Sequence, residues 1–127
     1  MSHPYLHTYY PAMPSFEIYL GYPDEALGVG PLTAILDTGA DSTLIPISLL
    51  NQVGAPLSDE ARLRSHWGEW RTVSLFTVDI GLDNVRLPAV EVIGDEQGEE
   101  IIVGRNILNR LKILFDGPSN RVEILSS

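Results

Sequence analysis

The chain has 127 residues, the length of a single domain, and can bury about two-thirds of its unfolded surface without disulfide or metal staples. Its 44% hydrophobic and 20% charged residues exclude a disordered chain, and no apolar run approaches the roughly 18 residues that span a bilayer. A net charge of −9 argues against nucleic acid or an anionic membrane as partner, and the absence of cysteine excludes disulfides, thiolate zinc sites and thiol catalysis.

Residues 1–14 carry Pro4, Pro11 and Pro14 among Tyr5, Tyr9 and Tyr10. They read as an N-terminal arm lying loosely on the surface, ahead of a domain over 15–127. The arm has no Lys or Arg and no long apolar stretch, so it does not read as a secretory signal, and a cytoplasmic protein is expected. His3 and His7 stand four apart, a spacing that ligates metal on a helix. Pro4 and the lack of a helical period argue against a helix there, so no metal site and no cofactor are expected.

Phe16, Ile18 and Leu20 alternate with Glu17 and Tyr19, the period of a strand. Residues 21–31 are rich in Gly and Pro and read as turns. An apolar strand follows over 32–36, and extended character resumes over 42–46. Residues 47–53 suit one or two helical turns, opened by Pro46 and stopped by Gly54. From Ala61 to Ile80 the β-branched and aromatic residues favour strand, interrupted at 65–71 where Gly68 stands between Trp67 and Trp70 as at a hairpin tip. Residues 81–84 turn, 85–93 return, and 95–100 form an acidic loop without calcium-loop spacing. Ile101, Ile102 and Val103 make a short strand, and 106–112 is predicted to be the one convincing helix. A final hairpin turns over 116–120. About eight strands and one or two short helices predict an all-β, barrel-like single domain.

The chemistry gathers at Asp37-Thr38-Gly39, where the apolar strand ending at Leu36 delivers an acid into a tight turn. Such a carboxylate is expected to be partly desolvated. Gly39 lets backbone amides approach it, and Thr38 supplies a hydroxyl. By itself this tripeptide is equally an Asp in an ordinary β-turn.

A second segment, Ile102-Val103-Gly104-Arg105-Asn106-Ile107-Leu108, lies further along the chain. Together with Ile35-Leu36-Asp37-Thr38-Gly39-Ala40-Asp41 it resembles the retropepsins, the single-domain aspartic proteases of retroviral type, over about residues 15–115. The resemblance implies a closed barrel with a flap hairpin and one short C-terminal helix. It implies a homodimeric aspartic endopeptidase, because a single Asp-Thr-Gly supplies half of a two-carboxylate site and a second copy must supply the other half. Asp37, Thr38 and Gly39 would be catalytic. Ala40, Asp41, Trp67, Gly68 and Glu69 would meet a peptide substrate. Asp41 would also pair with Arg105, and Gly104 would let its loop thread beside the catalytic turn.

The segment departs from the viral pattern in two places. The tip at 64–71 has one glycine, flanked by His66, Trp67, Glu69 and Trp70, where viral flaps are glycine-rich. The chain also continues past the usual end into a hairpin, as in cellular and bacterial relatives, and this hairpin is a candidate dimer sheet in place of the proline-rich N-terminal arm. A second reading keeps the fold without turnover, as a peptide-binding or dimerisation module.

Overall fold

A computed structural model describes residues 1–64 and 68–125. Among them stand ten strands and two short helices. The strands are β1 (Ser2–Pro4), β2 (Ser15–Gly21), β3 (Val29–Leu36), β4 (Leu44–Pro46), β5 (Leu57–Arg64), β6 (Trp70–Leu82), β7 (Val85–Asp95), β8 (Ile101–Val103), β9 (Lys112–Asp116) and β10 (Arg121–Leu125). Helix α1 spans Ile47–Val53 and α2 spans Arg105–Leu108. No helix among the described residues is long and apolar enough to cross a membrane.

Six strands close on themselves in the order β2-β3-β8-β4-β7-β6, because β6 returns to pair with β2. Strand β5 extends the sheet outward from β6 as a long hairpin. The period-two pattern of β2 decides its facing: Phe16, Ile18 and Leu20 are buried while Glu17 and Tyr19 look outward. Val78, Ile80 and Leu82 of β6 join them, with Val92 of β7 and Val103 of β8. Each such side chain contributes about 1.5–3 kcal/mol when fully withdrawn from water.

The first half of β6, beside β5, is exposed or half-buried, whereas its last five residues are buried on both faces. Asp79 is therefore a carboxylate in an apolar setting. It accepts the N–H groups of Asp24 (3.0 Å) and Ala89 (2.7 Å) and two donors of Arg86. Burial pushes its carboxyl up, but these backbone donors and the Arg86 guanidinium outweigh that and hold it below the usual carboxylate range.

Helix α1 ends as its sequence suggests, with Gly54 in the left-handed conformation at φ 73°. Two expectations need correction. The helix predicted over 106–112 spans only Arg105–Leu108: Arg110 N–H already bonds the Ile107 carbonyl, tightening the turn, and Lys112 pairs with Leu125 in the β9–β10 ladder. The N-terminal arm is not loose. Strand β1 pairs antiparallel with β10 in a separate three-stranded sheet, β1-β10-β9. Its proline is tolerable because β1 is an edge strand. Tyr5 is buried in the core, Leu6 bridges Met13, and the His3 ring reaches Asp83 at 2.9 Å and packs edge-on against Phe16. The arm thus joins the C-terminal hairpin rather than being replaced by it.

Candidate active site

Strands β3 and β8 run parallel, with Ile35 opposite Ile102 and Leu36 opposite Val103. Their ends therefore bring Asp37 and Gly104 side by side, although 67 positions separate them in the chain. The Asp37 N–H donates to the Val103 carbonyl at 2.9 Å, carrying the ladder one residue past the strand. The chain then folds into a turn closed by Ala40 N–H on the Asp37 carbonyl at 3.1 Å. Within that turn Gly39 N–H donates to Asp37 Oδ1 at 2.9 Å. The second carboxylate oxygen has no hydrogen-bond partner among the described residues.

The turn is held from beneath by the second segment. Arg105 N–H donates to the Ala40 carbonyl at 2.8 Å, and Arg105 Nη1 donates to the Thr38 carbonyl at 2.8 Å. Gly104 lies so close that a Cβ would stand 2.2 Å from the Ser42 carbonyl oxygen and 2.9 Å from that of Ala40. Only glycine fits there. Thr43, fully buried, accepts the Gly104 N–H at 3.0 Å and donates to Asn106 Oδ1 at 2.7 Å, and Asn106 in turn donates to the Glu91 carbonyl at 2.9 Å. Sequence reasoning did not single out Thr43 as a site residue. Its one signal is a hydroxyl residue immediately after the acidic turn, at the entry to an apolar strand.

Two expectations about charge do not hold. Asp41 is exposed and makes no ion pair with Arg105, whose guanidinium goes to the Thr38 carbonyl instead. The reason is local: the Arg105 backbone is pinned to Ala40, which sets its side chain under Thr38. Asp37 is also exposed, as are Thr38 and Gly39. Among the described residues the barrel supplies an apolar strand up to Leu36 and leaves the Asp37 carboxylate exposed in a single copy.

Beside this turn runs an apolar strip distinct from the barrel core. Ile35, Ile102 and Leu44 are cross-strand partners, and Leu44 faces Ile93 on β7. Directly opposed residues share a sheet face, and Ile35 and Ile93 stand outside the contiguous core cluster. Asp37, two residues beyond Ile35, continues on that face.

The β5–β6 hairpin projects beyond the barrel, with Leu63 opposite Arg71 and Arg64 opposite Trp70. Trp70 is exposed rather than packed onto the barrel, and the Arg62 guanidinium lies 5.1 Å from its ring centroid. Gly68 and Glu69 are exposed at the tip, Gly68 with φ 80°. Trp67 and His66 lie outside the described residues.

No protein-family model and no curated protein matches the sequence. Solved structures do match. A retropepsin-like aspartic protease from Rickettsia conorii superposes with a TM-score of 0.68 at 11% identity, over 98% of this chain and 88% of that one. The retroviral protease-like domain of Ddi1 from Leishmania major gives 0.57 at 17% identity, over 90% and 94%. An EIAV protease in complex with an inhibitor gives 0.54 at 19% identity, over 77% and 86%. With so little sequence in common and so much of each chain superposed, what this protein shares with them is its architecture, and that architecture is the retropepsin-like fold.

Proposed function

We propose that two copies of this chain form an aspartic endopeptidase, each contributing one Asp37 to a shared dyad. The observation that carries the reading is Asp37 itself: an acid held by Gly39 N–H on one oxygen, on a turn anchored by Val103, Arg105 and Ala40, yet exposed and, among the described residues, without a hydrogen-bond partner on the other oxygen. A rigid turn with an unsatisfied carboxylate suits a site completed by a second copy.

Two such carboxylates a few Å apart cannot both ionise, and they hold one proton between them. The ionised Asp37 takes a proton from a bound water as its oxygen attacks the peptide carbonyl carbon. The protonated one gives its proton to the carbonyl oxygen. Collapse of the resulting gem-diol breaks the C–N bond, with a proton delivered to the departing amine. Thr38 would brace the turn through its hydroxyl to the second copy's loop, and Gly39 would offer its carbonyl to the substrate. Ala40 and Asp41 would line the substrate channel, and the hairpin tip with Gly68 and Glu69 would close over it.

The β9 edge is the natural place for the second copy. It is one of the two edge strands of its sheet, and it exposes Leu114 and Phe115. The test is cleavage of mixed peptides across pH by the wild type and by Asp37→Asn, with and without a transition-state analogue of peptide hydrolysis. Activity abolished by the substitution and by the analogue supports the reading. A folded dimer that binds peptides but never cleaves them supports a peptide-binding module instead.

A further inference from the structure

The apolar strip beside Asp37 ends in a cavity of about 340 Å³ between the start of β6 and the segment after β7. Leu44 and Ile93 form its floor with Val73. Arg71 stands on one wall, and Asp95 and Glu96 stand on the other. The Leu44–Ile102–Ile35 register sets the floor two strand spacings, about 10 Å, from the strand that carries Asp37. An extended peptide advances about 3.3 Å per residue. A side chain two or three residues from a bond lying over Asp37 therefore reaches this cavity.

The walls are unequal in charge. Among the described residues that line it, Asp95 and Glu96 stand against Arg71, and Glu99 and Glu100 follow in the same segment, 95–100, which has no basic residue. None of these groups forms an ion pair among the described residues. Asp95 Oδ1 is occupied by the N–H groups of Gln97 and Gly98 at 3.0 and 2.9 Å, which shapes the loop and leaves Glu96, exposed at the rim, as the carboxylate open to a ligand.

We propose that this cavity selects a basic side chain of the peptide, its aliphatic stem lying on Leu44, Val73 and Ile93 and its charged head meeting Glu96. Lys and Arg combine an apolar stem with a charged tip, the pairing that an apolar floor and an acidic rim accept. A carboxylate side chain could reach Arg71 but would also meet Asp95 and Glu96. The proposal rests on the peptidase reading and adds the substrate class to it. In a two-fold dimer the cavity occurs twice, once on each side of the bond.

The experiment uses pools of random decapeptides in which one position is fixed as Lys, norleucine or Glu. Wild-type cleavage is read by mass spectrometry as the distance of the fixed residue from the broken bond. Binding of the same pools to Asp37→Asn is read in parallel by competitive ultrafiltration. Lys is expected to be enriched about tenfold over norleucine at two or three residues from the bond, the worth of one charge-assisted contact. Glu96→Gln should remove most of that preference. Glu17→Gln, which removes an equal charge on the outer face of β2, should keep it. Equal use of Lys and norleucine, a preference for Glu, or equal loss in both variants overturns the proposal while leaving the peptidase reading intact. Binding of the Lys pool that depends on Glu96, without any cleavage, upholds the cavity's selectivity and overturns the peptidase. No cleavage and no binding overturns both.

Discussion

Arg105 Nη1 donates to the Thr38 carbonyl oxygen at 2.8 Å, joining two segments 67 residues apart. The contact fixes the middle residue of the acidic turn to the first residue of α2, and Asp41 makes no ion pair among the described residues. Arg105→Ala should therefore loosen the turn, costing about 1 kcal/mol for an exposed charge-assisted bond. Asp41→Ala should cost little, and the double variant should be additive to within about 0.5 kcal/mol. Thermal unfolding of the four proteins measures this; a larger coupling between the two positions would restore the ion pair that the sequence alone suggests.

Gly104→Ala should destabilise the fold by about 3 kcal/mol, as a forced overpacking does. The added methyl meets the Ser42 and Ala40 carbonyl oxygens, which belong to the backbone and cannot swing away. Urea unfolding would expose the error if the alanine variant were as stable as the wild type.

Asp79 ties stability to pH. Its carboxyl is held below the usual range in the folded chain, so its contribution is complete above about pH 4, the value of an unfolded aspartate, and fades as pH falls through the lower folded value. Asp79→Asn should lose about 3 kcal/mol at pH 7, because Arg86 and two backbone N–H groups lose their anion. It should also show a shallower loss of stability between pH 4 and acid than the wild type. Parallel acid-unfolding slopes in the two proteins would contradict the assignment.

Phe115→Lys should shift the proposed dimer toward monomer without unfolding the chain. Phe115 is exposed on the β9 edge, where a second copy would cover it in the proposed dimer. Sedimentation at micromolar concentration reads the change, with an unaltered association state refuting the β9 contact.

Peptide cleavage should be faster in acid than in alkali, since the proposed dyad works with one proton shared between two carboxylates. A rate profile that climbs above pH 8 would remove Asp37 from the chemistry.

The local features of this protein were legible from sequence because they depend on near neighbours. Alternation at Phe16, Ile18 and Leu20 needs only the two-residue period of a strand. The α1 stop needs only a glycine able to take positive φ at Gly54. The likeness of the two segments around Asp37 and Gly104 carried the fold itself. Other features depended on where distant residues meet. Nothing near His3 in sequence announces Asp83, and no local rule sets β1 against β10 across more than a hundred residues. Arg105 has a carbonyl and a carboxylate within the same turn, and only the packing of α2 beneath Thr38 chose the carbonyl. The exposure of Asp37 was likewise invisible, because an apolar strand predicts burial of what precedes the acid and is silent on what lies above it. Periodicity and turn chemistry determined the elements; strand register, which brings Ile35, Ile102, Leu44 and Ile93 onto one face, decided the site.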